Sequence, residues 1–379
     1  MKYLAVLGRQ PEISLAELEA LISSAEFSTG PADFLPPKFC IANILGVPLQ
    51  SSPVGMERLG GTLKLAVELD ERPLEYLQKM PEGKITIGVS DYSKGASRKT
   101  ATMEALKLKK ILVRHGRSVR VVESKDAVLS TATSLHNGLS GKNERKVELI
   151  KVDNDWYRVI GVQDIDAYAK RDQARPARDA KVGMLPPKLA QILINLCGPL
   201  KPGARILDPF CGTGVVLQEA LLMGYRAYGT DISERMVEYS EKNLRWLIGG
   251  AEKGVFLVSQ GDATSFTWAQ PIDAVACEGY LGRPMSQVPA EIKLKTEKQE
   301  CGGIMLWFLK NLAGQIKSGT PVVVAMPAWL REDGYYSRLE ILDEIEGLGY
   351  NVNNKSREGL IYAREGQIVA RDIIILRKN

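Results

Sequence analysis

Residues 206–214 read ILDPFCGTG, and this stretch decides the fold. An apolar strand runs into a glycine-rich turn, and "VVLQEALLMG" starts a helix at once. Gly212 and Gly214 let backbone approach a ligand, and the helix N-terminus offers unpaired N–H groups to an anionic group. That group is a nucleotide phosphate or an amino-acid carboxylate. A Walker loop needs Lys-Ser/Thr next, but Val215 and Val216 follow. A dinucleotide fingerprint needs a third glycine, and Leu217 stands there. Asp208, at the strand's end, repels phosphate and suits an ammonium or sulfonium.

Outward from this turn, strands and helices alternate. "RAYGTDIS", "GVFLVSQGDA", "IDAVACEG" and "PVVVAMPAW" read as strands, with helices between them, and "GLIYAREGQIVARDIIIL" as a closing hairpin. The pattern predicts an α/β, doubly wound, mostly parallel sheet of Rossmann-like type with an antiparallel edge. "CGGIMLWFLKNLAGQIK" and "YYSRLEILDEIEGLG" read as helices. Asp231 ends the second strand, where an acid takes ribose hydroxyls, and Asp262 ends the third, where it can accept from an adenine amine. Singly, such acids are commonly helix caps or turn residues. Together with Asp208 they form one acidic rim, which favours S-adenosylmethionine as cofactor.

Here a family resemblance enters. "LDPFCGTG", "GTDIS" and "GDAT" resemble class I S-adenosylmethionine-dependent methyltransferases, in the form typical of enzymes acting on exocyclic nitrogens of bases. "RDQARPARDAKVGMLPPKLAQILINL" resembles tRNA guanine-N2 methyltransferases that carry a THUMP domain, whose usual target is guanosine 10. The resemblance implies that Gly183, Met184, Leu185 and Pro186 border the cofactor's methionine end. "GVSDYSKGASRKTATMEALKLKKILVRHGRSVRVV" is similar to THUMP domains. The expected organisation is a ferredoxin-like α+β unit over 1–75, a THUMP-like RNA-binding domain over 76–168, a linker over 169–182 and the catalytic domain over 183–379.

In the first half, "SLAELEALIS" reads as a helix with Ser14 as N-cap and Glu17 completing a capping box. "TATMEALKLKKILVRHG" is a helix closed by Gly116, "DAVLSTATSLHNGLSG" another, and "KVELIKVDNDWYRVIGVQD" a hairpin turning at Asn154-Asp155. Arg98, Lys99, Lys107, Lys110 and Arg114 lie in a basic run, and Lys107, Lys110 and Arg114 share a helix face. Such a face is a phosphate-docking surface or simply a solvated one; the THUMP resemblance implies tRNA. Few aromatics accompany it, so shape recognition of folded RNA fits better than base stacking.

The base-handling motif of such enzymes reads Asp/Asn-Pro-Pro-Tyr. Here "DAVACEGYLGRP" puts Glu278 at the acidic position and glycine and Tyr280 at the prolines. The lost prolines predict a less rigid loop. Glu278 is the candidate acceptor for an amine, and its carboxylate matches the N1–H and N2–H₂ edge of guanine. Tyr280 is the candidate stacking ring. Adenine-N6 methylation and a catalytically silent, cofactor-binding RNA-binding protein are the competing readings.

Totals narrow the field. A net charge of +5 permits an acidic partner without requiring one. Five scattered cysteines, with no CxxC pair, point to a reducing compartment rather than a disulfide framework. Two histidines without ligand-spaced neighbours predict no metal site. No leader-like start and no apolar run of about 18 residues is read, which gives no membrane span and a cytoplasmic location as the expectation.

Overall fold

The computed structural model describes residues 2–22, 25–29, 39–44, 55–179, 184–249 and 254–379. Two compact units, Met1–Ala167 and Tyr168–Asn379, divide the chain. The first runs β1 (Lys2–Leu7), α1 (Pro11–Leu21), β2 (Ala25–Thr29), β3 (Phe39–Ile44), β4 (Thr62–Glu68), α2 (Pro73–Lys79), β5 (Ile85–Asp91) and α3 (Arg98–Arg114). It continues with β6 (Val119–Val122), α4 (Thr131–His136), β7 (Lys146–Val152) and β8 (Asp155–Val162). One mixed sheet, in the order β2-β3-β1-β4-β8-β7-β5-β6, crosses residue 75 without a break, because β4 pairs with β8.

Helix α1 starts three residues before the expected N-cap. Pro11 occupies its first turn, where a missing N–H costs nothing. Ser14 is therefore inside the helix, bonding back to the Gln10 carbonyl at 3.0 Å. Glu17 caps a different segment: its oxygens accept the N–H groups of Gly60 and Gly61 at 2.9 and 2.8 Å. Helix α3 has the capping box that α1 lacks, between Ser97 and Thr100. It ends at a left-handed Gly116, φ +79°. The hairpin turns one residue earlier than expected, at Asp153-Asn154, with Asp153 at φ +51° and Val152 opposite Asp155.

Sequence periodicity gave no sign of one buried network. Lys64 Nζ meets Glu148 Oε1 at 2.5 Å, with side chains 2% and 0% exposed. Ser90 and Ser134 hydroxyls donate to the two Glu148 oxygens at 2.6 Å each, and Lys64 also donates to the Leu129 carbonyl at 2.7 Å. The pair is thus paired and hydrogen-bonded, the condition under which buried charge is tolerated.

Helix α5 (Ile165–Gln173) spans the division. The second unit runs α6 (Pro187–Leu196), β9 (Arg205–Asp208), α7 (Val215–Leu222), β10 (Arg226–Asp231), α8 (Glu234–Ile248), β11 (Phe256–Gln260) and β12 (Ala274–Glu278). Then follow α9 (Glu291–Ala313), β13 (Pro321–Leu330), β14 (Tyr336–Ser337), α10 (Leu342–Gly347), β15 (Tyr350–Val352), α11 (Asn354–Glu358), β16 (Ile361–Tyr362) and β17 (Val369–Lys378). The sheet order is β11-β10-β9-β12-β13-β17-β15, parallel from β11 to β13 and antiparallel at β17. This is the expected doubly wound α/β fold with its antiparallel edge. Strands β12 and β13 are buried almost throughout, which explains their unbroken apolar runs.

Two elements differ from the sequence reading. Helix α9 begins at Glu291, ten residues before "CGGIMLWF", since its first turns are polar and largely exposed and carry no apolar stripe. "YYSRLEILDEIEGLG" is only partly helical: Tyr336 and Ser337 pair with β13, and α10 covers Leu342–Gly347. No helix of the described residues is long and apolar enough to cross a membrane.

Candidate active site

In a doubly wound sheet, ligands settle beyond the C-terminal strand ends where the winding reverses. That point lies between β9 and β12, and a cavity of about 470 Å³ opens there. Met184, Asp208, Phe210, Gly212, Asp231, Ile232, Glu278 and Tyr280 are among its lining residues. Of the residues expected at a cofactor or base, the fold brings together Met184, Leu185, Asp208, Gly212, Asp231, Glu278 and Tyr280. Pro186, Gly214 and Asp262 stand outside the lining. Gly183 lies outside the described residues.

Strand β9 ends in Asp208, which is 2% exposed and accepts the Phe210 N–H at 3.1 Å. The turn then needs its glycines. Gly212 has φ +52° and Gly214 φ +82°, a region disfavoured for residues with a Cβ. A Cβ on Gly214 would lie 2.8 Å from Ser240 Oγ, so Gly214 serves close packing rather than the cavity wall. Helix α7 starts directly after it.

Asp231, at the end of β10, latches this turn. Its Oδ2 accepts the Gly212 N–H and its Oδ1 the Ser233 N–H, both at 2.9 Å. From α8, Ser240 donates to the Gly212 carbonyl at 2.9 Å, and Asn243 to the Thr213 carbonyl at 2.8 Å. Asp262 is exposed and caps its own turn, accepting from the Thr264 N–H and hydroxyl at 2.9 and 2.7 Å.

The segment expected as a linker is built into the second unit. Arg171 forms a two-pronged pair with Glu219 of α7 at 2.8 and 3.2 Å. The Ala177 backbone pairs with both ends of the Asn243 amide at 2.9 Å. Arg175, its side chain fully buried, reaches the Thr213 hydroxyl at 3.4 Å and Met184 Sδ at 3.6 Å. The RDQARP signature thus props the glycine turn from behind. Burial lowers the Arg175 pKa, but from so high a value that it stays a cation.

At the far wall, Glu278 ends β12. Arg371 of β17 donates through Nε to Glu278 Oε1 at 2.7 Å. Burial raises the Glu278 pKa, while Arg371 and Arg364 pull it back down. Asp208 is raised well above the carboxylate range, chiefly by burial and further by the charges of Asp231 and Glu278. Three carboxylates facing one cavity make a wall suited to a cation. Phe210, Ile232 and Met236 supply its apolar part, with Phe210 set edge-on against Phe308 at 5.1 Å.

The loop after Glu278 is tighter than its lost prolines suggest. The Gly279 N–H donates to the Ala325 carbonyl at 3.0 Å, extending the ladder. A Cβ on Gly279 would lie 2.8 Å from Met305 Sδ, and one on Gly282, at φ +81°, 2.9 Å from Glu297 Oε2. Tyr280 is half-buried at the cavity, and burial raises its phenol.

In the first unit, Arg98, Lys99, Lys107, Lys110 and Arg114 are all exposed on α3. The opposite face buries Ala101, Ala105, Leu108 and Leu112. Met103, Leu106 and Val113 are also exposed among the basic residues, so this face is mixed rather than purely charged.

Sequence reasoning missed Arg371, Arg175 and Ile232. Ile232 had a signal, an apolar residue directly after the rim acid in "GTDIS". Arg371 had none, because it reaches Glu278 across a sheet from 93 residues away.

Residues 175–301 match the UPF0020 family, described as an RMKL-like methyltransferase domain. The matched stretch holds the glycine turn, the acidic rim and Glu278. Among similar proteins, a tRNA (guanine(10)-N2)-dimethyltransferase of Methanothermobacter thermautotrophicus is 34% identical over 163 residues, 42% of this chain and 44% of that protein. The chain thus spans less than half of that relative. A protein of the same name from Pyrococcus abyssi is 29% identical over 294 residues, covering 74% of this chain and 78% of its own. The solved structure of TrmN from Thermus thermophilus aligns over 100% of both chains at 17% identity, with a TM-score of 0.48.

Proposed function

We propose that this chain is an S-adenosylmethionine-dependent methyltransferase that modifies N2 of a guanosine in tRNA, with guanosine 10 as the target. The observation that carries the reading is Glu278 facing the same cavity as Asp208 and Asp231, within a methyltransferase domain. The two relatives' names support tRNA and guanine as substrate. A THUMP-like RNA-binding half, including a ferredoxin-like start, and a cytoplasmic location complete the proposal.

The acidic, partly apolar wall fits a cofactor that joins a sulfonium and an ammonium to adenosine. Bound there, S-adenosylmethionine supplies a methyl group activated by positive sulfur. Asp208 faces the cationic end. Asp231, with one backbone donor on each oxygen, keeps lone pairs for ribose hydroxyls. Gly212 brings backbone close, Gly214 gives the turn its left-handed φ and close packing, and Gly183 and Met184 border the methionine end. Asp262 keeps Oδ2 for the adenine amine.

An exocyclic amine is a weak nucleophile because its lone pair is shared with the ring. The base must leave its stack and be held. Tyr280 stacks on it. Glu278 accepts a hydrogen bond from N2–H₂, orienting the lone pair and stabilising the positive charge that grows on nitrogen. As the N–C bond forms and the methyl–sulfur bond breaks, leaving a neutral thioether, the surplus amine proton would pass to Glu278 and then to solvent. Burial, which raises the proton affinity of Glu278, favours that acceptance. Arg98, Lys99, Lys107, Lys110 and Arg114 neutralise tRNA phosphates.

The test is methyl-labelled S-adenosylmethionine with total tRNA, and separately with duplex DNA. Label in tRNA is expected. Label only in DNA, or none in either with cofactor bound, would overturn the proposal.

A further inference from the structure

Glu278 is one side-chain bond longer than the aspartate or asparagine it replaces, and so has one more torsion to restrain. Gly279 pins the adjoining backbone to the Ala325 carbonyl but has no side chain to hold the carboxylate, so that restraint must come from elsewhere. Strands β12 and β17 flank β13: Glu278 lies opposite Ala325, and Ala325 opposite Ile373. Arg371 precedes Ile373 by two, so the strand period puts it on the Glu278 face. Asp372, between them, points to the other face, where Arg338 Nε meets its Oδ2 at 2.6 Å. The adjacent opposite charges are thereby kept apart, and Arg371 is free for Glu278.

The contact is one-sided. Arg371 Nε donates to Oε1 at 2.7 Å, with the arginine side chain 4% and the glutamate 17% exposed. Glu278 lines the cavity, whereas Arg371 does not. Among the described residues no hydrogen bond reaches Oε2.

We propose that Arg371 is a positioning residue for methyl transfer: from behind the cavity it ties Oε1 and presents Oε2, as a carboxylate oxygen, to the amine. This rests on the reading of Glu278 as the amine's acceptor. It also refines that reading. With Oε1 committed, the amine is met chiefly by one oxygen, so the choice of guanine draws on other cavity residues as well.

The groups facing Glu278 are Arg371 on β17, Arg364 before β17 and Asp208 at the end of β9, while Cys277, adjacent on the strand, points to the other face. Arg371 and Arg364 favour its ionised form, and burial opposes it. Removing Arg371 leaves Arg364 alone against burial, so Glu278 takes up its proton at higher pH.

The experiment is an infrared pH titration of protein carrying carbon-13 glutamate, with Glu278→Gln used to assign the band. Wild type and Arg371→Met are compared, alongside kcat between pH 6 and 9. The protonated Glu278 band is expected at higher pH in Arg371→Met, with kcat depressed on the acid side by about tenfold per unit of midpoint shift. Adding Arg371→Met to Glu278→Gln is expected to change kcat little further. Identical infrared titrations, or a large further loss in the double variant, would overturn the assignment. S-adenosylhomocysteine affinity reports folding, and Arg371→Lys, read the same way with a smaller shift, serves where Arg371→Met does not fold. Absence of all transfer by wild type would refute the methyltransferase proposal, while the infrared result would still decide the role of Arg371.

Discussion

Replacing Glu278 by glutamine separates the chemistry of the site from its stability. The substitution keeps the shape and an acceptor oxygen but removes the charge. In the folded protein it leaves the Arg371 guanidinium, 4% exposed, facing an amide instead of a carboxylate. Breaking a fully buried pair costs about 3–5 kcal/mol. Glu278 retains 17% exposure and the amide still accepts from Nε, so about 2 kcal/mol is the reasonable figure. In a unit of this size that lowers Tm by about 4–8 °C. The catalytic loss is larger: removing one preorganised partner of a developing charge costs about 10²–10³ in kcat. Cofactor affinity stays within about threefold, or ~0.7 kcal/mol, because Asp208, Gly212 and Asp231, the residues proposed to hold the cofactor, are unchanged. The assays are label transfer to tRNA at saturating substrates, titration calorimetry with S-adenosylhomocysteine, and a thermal melt. A variant that turns over at the wild-type rate would remove Glu278 from the mechanism, whatever its Tm.

Further tests address the rest of the molecule. Asp208→Asn should weaken cofactor binding yet raise the Tm of the free protein. The folded state holds the Asp208 proton more tightly than the unfolded chain, so its contribution is full below the unfolded value of 3.8 and lost as pH rises through the folded one. The stability gain over wild type should therefore be larger at pH 8 than at pH 5; a gain independent of pH would contradict it. Gly214→Ala should cost about 1–2 kcal/mol for the left-handed backbone alone, plus the approach to Ser240, and a melt within a degree of wild type would count against the turn geometry. Lys64→Met should destabilise by about 3–5 kcal/mol by stranding Glu148, with much of that recovered in Lys64→Met/Glu148→Leu; equal loss in both would show that the network, not the pair, matters. Replacing Lys107, Lys110 and Arg114 by alanine should flatten the salt dependence of tRNA affinity by roughly 2–3 in log–log slope, and an unchanged slope would take α3 out of the RNA contact.

Much of the second unit was legible because its signals are local. "ILDPFCGTG" carries strand, turn and helix start within nine residues, and the acids at 208 and 231 follow from strand ends. Asp262 was readable as a strand-end acid, but not that Thr264 would take up its Oδ1. The features that stayed hidden depend on distance in the chain. Arg371 meets Glu278 only because β17 lies two strands from β12, across β13. The RDQARP stretch looks like a polar linker until Asn243 and Glu219 are folded against it. Ser14 was misread as a cap since Pro11, three residues upstream, is the stronger start signal. The start of α9 was missed because solvated turns carry no apolar period.

The most direct measurement is mass spectrometry of nucleosides from tRNA treated with purified protein and S-adenosylmethionine, run beside the Glu278→Gln variant. N2-methylated guanosine that forms with the wild type and falls by about 10²–10³ in initial rate with the variant is the expected result. Methyladenosine as the product, or no methylated nucleoside from a protein that binds the cofactor, would contradict it.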